Sequence, residues 1–577
     1  MHQDYDLKIG GAAGQGLQVI GDLIAKALAR SGLHLFAYQD FYSRVRGGHN
    51  FYHVRAASSP VFSHKSRLDI LVALDQASIT RHYDEIGAGG VLLFDSQNVQ
   101  VEANSPNVMG LDLAKLAVEG GGHKIMANTV AAGAVWHIVG GESELLAGAI
   151  ADTFASKGEK IVASNQAAAA AGARWAQEMF RGNCSMKVNR QSTDSRMVLT
   201  GNEALALGAL AAGCRFVSAY PMTPASGIVE HMNGKADRMS LAFEQAEDEI
   251  AAINMAMGAA FCGVRSMVAT SGGGFSLMVE GLSLAGCTET PVVIAMGQRP
   301  GPSTGMATRT EQGDLLFCLH AGHGEFPRAI LTPGHPEDAF WAMIHAFNLA
   351  DRYHIPVFVM TDQLLADGYA TLTPPDVQRV TIDRGPLAPV DSLASDEPYR
   401  RYQFTANGVS PRAFPGQSEK LVISTGNEHD ETGLSTEDPT LRTRMVQKRL
   451  AKSRPLADEV LPPVGYGGED AATVLLTWGS SYGACREAVD LLHEDDQDVS
   501  MIHLPQVWPF PARALLPLLA STSRVVTVEM NATGQLGRLL RQETLIQPHA
   551  AILKYDGRPM NGEFVVEELA KGGQNPW

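Results

Sequence analysis

Residues 242–278 read AFEQAEDEIAAINMAMGAAFCGVRSMVATSGGGFSLM and are the most informative part of the chain. Acidic residues between positions 244 and 249 precede a run of small and apolar residues, which predicts a helix that begins at Glu249. An acidic run is usually a solvated helix start, but the apolar helix behind this one predicts that Glu249 is partly buried. A strand at residues 266–269 and a glycine-rich turn at residues 271–274 are predicted to follow.

Short strands and helices alternate through most of the chain. Near-continuous β-branched runs are typical of strands that are covered on both faces in parallel sheets. Such runs are predicted as strands at residues 70–74, 91–94, 292–296, 357–360, 474–477 and 525–528. The alternation predicts an α/β protein built from several doubly wound domains.

Three such domains are predicted, and a segment of different composition separates the last two. The domains cover residues 1–188, 196–374 and 471–577. Residues 375–470 are rich in Pro, Gly, Asp and Arg. Because a structureless loop of that length is rare in a compact protein, we expect an extended connection that packs over the domains.

The composition indicates a globular protein and argues against several classes. The 577 residues carry a net charge of −16, which makes nucleic acid an unsuitable partner. No apolar run reaches the ~18 residues of a membrane-spanning helix, and the start has no secretory-signal pattern, so a cytoplasmic location without membrane contact is expected. The six cysteines form no C-x-x-C pair, so neither a disulfide framework nor an iron–sulfur cluster is expected on this chain.

The N-terminal domain opens with a glycine-rich segment, GGAAGQG, at residues 10–16. Its glycines permit a tight turn and the close approach of an anion to the following helix, or they simply pack a strand on that helix. The spacing G-x-x-G-x-G does not match the dinucleotide-binding fingerprint. Both interpretations stay open.

The next segment, residues 38–55, contains Arg44, Arg46, His49 and Arg55 beside a Gly-Gly pair. Such cations beside flexible backbone suit a phosphate or carboxylate ligand, and a solvated hairpin at a sheet edge is the equal alternative.

A strand runs into the proline-rich loop of residues 216–226, FVSAYPMTPAS. Two prolines leave Thr223 few conformations, and the carboxyl end of a parallel strand is where α/β folds bind ligands. A stiff strand–helix turn without a ligand is the alternative reading.

Taken together, these features resemble the pyrimidine-binding domain of thiamine diphosphate enzymes. The resemblance rests on an acidic helix start, a small-residue helix ending in Gly-Ala, a short strand and T-S-G-x-G. In that superfamily a glutamate lies nine residues before the glycine, which matches Glu249 and Gly258 here, with Glu247 as second choice. The resemblance implies that this carboxyl group bonds to the aminopyrimidine ring and promotes the tautomer that activates the cofactor.

Longer motifs are similar to the α subunit of 2-oxoacid:ferredoxin oxidoreductases, with a γ-type domain fused ahead of it. The γ-type motifs are GGAAGQG and YSRVRGGHN, and the α-type motifs include YPMTPAS, GQRPGPSTGMATRTEQGDLLF, AGHGEFPRAILTP, STGNEHDETG and VEMNATGQLGRLLR. The resemblance implies a γ-type domain at 1–188, a pyrimidine-binding domain at 196–374 and a transketolase C-terminal-like domain at 471–577. The fused layout most resembles the 2-oxoglutarate branch of the family.

The resemblance also implies roles for individual residues. Glu249 is the catalytic residue, and the C1 carboxylate of the substrate is clamped by Arg299 or Arg309, which the sequence does not separate. The remaining implied residues are Thr223 and Tyr220 for substrate, Gly272, Gly273 and Pro221 for the cofactor, and Ser303, Thr304, Arg44 and Arg46 for coenzyme A. The histidines show no metal-ligand spacing, so no metal site is predicted.

The implied activity is the oxidative decarboxylation of 2-oxoglutarate to succinyl-CoA, with coenzyme A as co-substrate and ferredoxin as electron acceptor; the reverse, CO₂-fixing direction is also open. Thiamine diphosphate is shared with a β subunit. The chain has no G-D-G motif and no Cys-rich set, so Mg²⁺ and a [4Fe-4S] cluster are expected on β, in an (αβ)₂ assembly. Pyruvate, branched-chain or aryl 2-oxoacids are the alternative substrates, and a nucleotide-binding regulatory protein is the alternative class.

Overall fold

The computed structural model describes residues 3–43, 47–102, 105–190, 196–394 and 396–576. The chain divides into two compact units. Unit 1 comprises residues 1–199, 368–374 and 561–563, and unit 2 comprises residues 200–367, 375–560 and 564–577.

The elements follow one another in chain order. The first part contains β1 (Asp4–Ala12), α1 (Leu17–Arg30), β2 (His34–Asp40), β3 (His49–Ala57), β4 (Leu68–Ala73), α2 (Gln76–His82), β5 (Ile86–Asp95), β6 (Val108–Leu111), α3 (Leu113–Gly121), α4 (Ala127–Ile138), α5 (Ser143–Phe154), α6 (Glu159–Met179) and β7 (Met197–Thr200). The central part contains α7 (Gly201–Ala211), β8 (Phe216–Ala219), α8 (Ser226–Asn233), α9 (Ala236–Met239), β9 (Ala242–Gln245), α10 (Glu249–Phe261), β10 (Ser266–Thr270), α11 (Gly272–Cys287), β11 (Val292–Gln298), α12 (Leu315–His320), β12 (Ala329–Leu331), α13 (Pro336–Tyr353), β13 (Pro356–Asp362), α14 (Gln363–Asp367) and β14 (Tyr369–Leu372). The last part contains α15 (Val390–Ala394), α16 (Pro439–Ala451), α17 (Ser453–Asp458), β15 (Val464–Tyr466), β16 (Thr473–Trp478), α18 (Ser481–Glu494), β17 (Val499–Leu504), β18 (Gln506–Trp508), α19 (Ala512–Leu518), β19 (Arg524–Glu529), α20 (Gln535–Thr544), β20 (Ala550–Leu553) and α21 (Gly562–Ala570).

Unit 1 is built on one eight-stranded sheet with the order β6-β5-β4-β1-β3-β2-β14-β7. β4 runs parallel to β1, whereas β3 is antiparallel to both β1 and β2. Leu7 and Ile9 of β1 share one apolar core with Leu23 of α1 and Val130 of α4. The core therefore lies between the sheet and the helices that follow the glycine-rich turn.

Unit 2 contains two sheets. The larger has the order β18-β12-β13-β11-β10-β8-β9, and its strands are parallel except for β18, which pairs antiparallel with β12. The smaller has the order β15-β17-β16-β19-β20 and is parallel except for β15. The predicted α/β class is confirmed. Five of the six predicted strands lie within β5, β11, β13, β16 and β19, and the sixth, at residues 70–74, extends one residue beyond the end of β4.

Three local predictions differ from the structure. β14, from the end of the predicted second domain, pairs with β2 in the sheet of unit 1. The predicted turn at residues 271–274 is instead the first turn of α11, because Ser271 is extended and α11 begins at Gly272. The predicted connection, residues 375–470, is not extended throughout, since it contains α15, α16, α17 and β15.

Buried ion pairs fasten the connection to the rest of unit 2. The carboxylate of Asp351 accepts hydrogen bonds from Arg265 Nε (2.8 Å) and Arg412 Nη2 (2.8 Å), and Arg384 Nε lies 2.9 Å from it. Arg384 and Arg412 belong to the connection, so this carboxylate joins the two parts.

A second buried cluster surrounds Glu289. Lys448 Nζ donates to both of its carboxylate oxygens (2.6 and 2.8 Å), and Lys452 pairs with it as well. Burial alone would raise the pKa of Glu289, but the two lysines hold it well below its ordinary value.

No helix of the described residues is long and apolar enough to cross a membrane.

Candidate functional site

A cavity of about 560 Å³ opens in unit 2 where β10 and β11 end. These strands are parallel neighbours, so the segments after them, Ser271 and Arg299, reach the same edge of the sheet. Five predicted residues line the cavity, namely Gly272, Gly273, Arg299, Ser303 and Thr304. Its other walls are Met222, Ser271, Ser276, Gly301, Pro302, Asp314 and Phe317.

Glu249 is held at the first position of α10 and is only 4 % exposed. The preceding Asp248 caps the helix, because its carboxylate accepts a hydrogen bond from the amide of Ala251 (2.7 Å). Among the described residues, no donor bonds to the Glu249 carboxylate. A buried carboxylate without a donor is unfavourable, which indicates that a ligand supplies the missing hydrogen bond.

The first turn of α11 passes between two carboxyl groups, and this explains two of its glycines. A Cβ atom at Gly274 would lie 2.7 Å from Glu249 Oε1 and 2.3 Å from Thr270 Oγ1. A Cβ atom at Gly272 would lie 2.6 Å from Asp314 Oδ2. A side chain at either position would displace a carboxylate.

Arg299 follows β11 and is the cation of the cavity wall. Its Nη1 donates to the carbonyl oxygen of Thr223 (2.7 Å), while its Nε is buried without a partner. Burial lowers the pKa of Arg299, against the opposing charge of Asp314. A desolvated guanidinium with unused donors is suited to binding a carboxylate.

The structure separates the two candidate arginines. Arg299 lines the cavity, whereas Arg309 is buried and does not. Thr223 is half-buried and is tied to Arg299 through its carbonyl. Tyr220 is 42 % exposed and Pro221 is exposed, and neither lines the cavity.

The loop from Arg299 to Asp314 forms one wall of the cavity and is firmly anchored. Thr310 Oγ1 donates to Asp362 Oδ1 (2.8 Å), and Ser480 Oγ donates to the other oxygen of the same carboxylate (2.5 Å). Gln312 donates through its side chain to the carbonyl of Trp478 (2.9 Å). These contacts fix the loop on which Ser303 adopts a positive φ of 59°.

The remaining predictions concern unit 1. Arg44 and Arg46 lie outside the described residues. His49 is buried on β3, and its Nε2 lies 2.8 Å from His82 Nε2. β2 and β3 form an antiparallel hairpin inside the sheet rather than at its edge.

Sequence reasoning missed Asp314 and Glu311. Burial raises the pKa of Asp314 to about 6, although Arg299 acts in the opposite direction. Burial and then the charge of Asp314 raise the pKa of Glu311 to about 7. The available signal was an acidic residue directly before the apolar helix LLFCLH, the same pattern that marked Glu249.

Three family models match the chain. Residues 207–448 match "Pyruvate flavodoxin/ferredoxin oxidoreductase, thiamine diP-bdg", and residues 6–175 match "Pyruvate ferredoxin/flavodoxin oxidoreductase". Residues 471–561 match "Pyruvate:ferredoxin oxidoreductase core domain II".

Curated relatives match over nearly the whole length. The chain is 32 % identical to subunit alpha of 2-oxoacid:ferredoxin oxidoreductase 2 from Aeropyrum pernix, covering 96 % of each chain. It is 30 % identical to the 2-oxoglutarate oxidoreductase subunit KorA of Mycobacterium tuberculosis, covering 94 % of this chain and 87 % of the relative.

A solved structure agrees with these relatives. It is the 2-oxoglutarate:ferredoxin oxidoreductase from Magnetococcus marinus with 2-oxoglutarate, coenzyme A and succinyl-CoA bound. The identity is 31 %, the coverage is 99 % of both chains and the TM-score is 0.91.

Proposed function

The chain belongs to the family of 2-oxoacid:ferredoxin oxidoreductase alpha subunits, and from that membership we propose that its substrate is 2-oxoglutarate. The reaction would be the coenzyme A-dependent decarboxylation of 2-oxoglutarate to succinyl-CoA, with electrons passed to ferredoxin. The observation that carries this proposal is the match over 99 % of both chains to a structure whose name includes 2-oxoglutarate and succinyl-CoA. Because the family is one of oxidoreductases, the alternative of a regulatory nucleotide-binding protein is set aside.

The central family model names thiamine diphosphate, and we infer that this cofactor would bind at the edge of the sheet where the cavity opens. Glu249 does not line the cavity itself but lies beside Gly274, which follows the lining residues Gly272 and Gly273 on α11. Glu249 offers a buried carboxylate that lacks a donor, and the absence of a side chain at Gly274 lets the first turn of α11 pass directly beside that carboxylate. When bound, the cofactor supplies the nucleophilic carbon that decarboxylation of a 2-oxoacid requires. The role of Glu249 is to hold a proton at the ring nitrogen, and the role of the glycines of α11 is to let backbone approach the ring.

Arg299 would bind the C1 carboxylate of the substrate with the donors that the protein leaves free. Its bond to the carbonyl of Thr223 fixes the position of that residue, whose hydroxyl would donate to the substrate. Ser303 and Thr304 lie exposed on the same loop as Arg299, where they would contact substrate or coenzyme A. Arg309 is assigned no substrate contact.

Exposed apolar side chains on α10 and α11 support a site that is completed by a second subunit. Ile250 of α10 is 50 % exposed, and Leu277 of α11 is 51 % exposed. Large apolar side chains grouped on neighbouring helices are typical of protein interfaces. We assign this face to a β subunit that brings Mg²⁺ and a [4Fe-4S] cluster, in an (αβ)₂ assembly in the cytoplasm.

Glu249→Gln tests the assignment of the carboxyl group, with Glu247→Gln as the matched control. Glu247 lies two positions away and is exposed, so its loss should leave activity near that of the wild type. Loss of a proton-holding group typically lowers the rate by about 10²–10⁴-fold. Both variants are co-expressed with the β subunit, and 2-oxoacid-dependent reduction of a viologen dye is measured. Wild-type activity in Glu249→Gln, or a loss confined to Glu247→Gln, would refute the assignment.

The choice of substrate needs a separate measurement. Values of kcat/KM are compared for 2-oxoglutarate, pyruvate, a branched-chain 2-oxoacid and an arylpyruvate with the same complex. We expect 2-oxoglutarate to give the highest value. A higher value for another 2-oxoacid would reassign the substrate and leave the family unchanged.

A further inference from the structure

Asp314 is a carboxyl group of the cavity wall to which the preceding sections assign no role. Its backbone amide donates to Gln298 Oε1 (3.0 Å), which fixes the residue at the start of α12. Within the described part of the chain, no donor bonds to its carboxylate, and it forms no ion pair with Arg299. Both residues nevertheless line the same cavity.

This arrangement is paradoxical for a site that binds anions. An ionised, desolvated carboxylate in the wall would repel the carboxylate that Arg299 is suited to bind. A neutral carboxylic acid would instead donate a hydrogen bond to it. The missing partner of Asp314 is therefore best supplied by an acceptor on the bound molecule.

Burial favours the neutral form of Asp314, and three ionisable groups surround it. They are Arg299 from the segment after β11, Glu311 from the same loop, and Cys318 from α12. Burial raises the pKa of the Cys318 thiol well above its ordinary value, so this group is uncharged at neutral pH. The neighbouring turn of α11 consists of glycines and adds no charge. Only Arg299 favours an ionised Asp314, and a carboxylate bound to Arg299 would cancel that effect.

We propose that Asp314, in its protonated form, donates a hydrogen bond to the same 2-oxoacid carboxylate that Arg299 binds, so that substrate binding takes up a proton. This inference rests on the proposed function, because it takes a 2-oxoacid as the ligand of the cavity. It assigns to the substrate carboxylate two donors of different kind, a guanidinium and a carboxylic acid.

The consequence is a defined pH dependence of binding. Without substrate the pKa of Asp314 is about 6, and a bound substrate carboxylate would raise this pKa further. The apparent dissociation constant then increases with pH, by up to about 50-fold between pH 6 and pH 8. Asp314→Asn keeps a hydrogen-bond donor but cannot ionise, so its binding should not vary over this range.

The test uses the complex of this chain with its β subunit and 2-hydroxyglutarate, which carries the carboxylates of 2-oxoglutarate but has no oxo group to react. Calorimetric titrations at pH 7 in two buffers of different ionisation enthalpy give the number of protons taken up. We expect a clear fraction of one proton per site in the wild type and in the control Glu337→Gln, which removes an exposed charge from α13. We expect none in Asp314→Asn.

If the wild type takes up no proton when the ligand binds, the proposal is wrong. It is also wrong if a folded Asp314→Asn variant still takes up a proton. The proposed function fails differently. If no 2-oxoacid supports dye reduction by the wild-type complex, the substrate assignment is wrong, whatever the calorimetry shows.

Discussion

Asp351→Asn should release the connection of residues 375–470 from the domain on which it packs. Asp351 is 3 % exposed, and its carboxylate pairs with three arginines. Arg412 and Arg384 come from the connection, and Arg265 comes from the segment before β10. Asparagine has nearly the same shape and keeps one acceptor, but it leaves the arginines without a counter-charge.

The magnitude follows from the burial of the cluster. Breaking a buried ion pair by removing one partner destabilises a protein by about 3–5 kcal/mol, because the remaining charge stays desolvated. Because asparagine keeps one acceptor, we expect a destabilisation at the lower end of this range, about 3 kcal/mol. Each 1.36 kcal/mol is a factor of ten, so the opening equilibrium of the connection should increase by roughly 100-fold.

Two backbone hydrogen bonds make this opening measurable. The amide of Arg412 donates to the carbonyl of Pro386 (2.9 Å), and the amide of Ala388 donates to the carbonyl of Arg412 (2.8 Å). Hydrogen exchange at these amides should be about 100-fold faster in Asp351→Asn, since exchange requires local opening.

The control is Asp458→Asn, whose exposed pair with Arg513 has a distance of 3.8 Å. An exposed pair contributes about 0–1 kcal/mol, so exchange at the amides of Arg412 and Ala388 should stay near that of the wild type. If Asp351→Asn changes these rates by less than about threefold, the cluster does not hold the connection and the reasoning is wrong.

Two further outcomes are expected. Gly274→Ala should lower dye-reducing activity, because the new Cβ atom would lie 2.3 Å from Thr270 Oγ1 and would displace Glu249. Overpacking of this kind costs about 1–3 kcal/mol of stability. The control is Gly273→Ala, whose Cβ atom has no neighbour closer than 4.0 Å, so its thermal stability should match that of the wild type. The thermal midpoint of the wild type should fall as the pH drops below 4.5, the ordinary pKa of Glu289, because its folded-state pKa is lower and its ionised form stabilises the fold above that pH. Glu289→Gln should be less stable at pH 7 and should lack this acid-dependent loss; an unchanged acid slope in the variant would contradict the assignment.

The elements and part of the site could be predicted from the sequence, because their signals are local. Near-continuous β-branched runs indicate buried strands within a few residues. Glu249 could be placed at a helix start because acidic residues precede it and the apolar residues follow directly. Arg299 and Arg309 could be proposed from their motifs, but the sequence could not separate them.

Which segments meet depends on the folded chain as a whole. β14 joins the sheet of unit 1, and β18 joins the edge of the larger sheet of unit 2, each far in sequence from its partner strand. A strand's own residues specify its faces but not the edge on which it pairs, since that choice depends on the packing of the whole unit.

The site shows the same division. Asp314 approaches Gly272 from a distant loop, and this loop is held by Gln312 and Thr310 through contacts with residues that follow much later in the chain. The apolar helix that follows Asp314 is a local signal for its position. Its burial, however, arises from these long-range contacts, so its raised pKa could not be predicted from the residues around it. The local sequence therefore predicts that a carboxyl group lies at the start of a helix, whereas the groups that surround it depend on the folded chain.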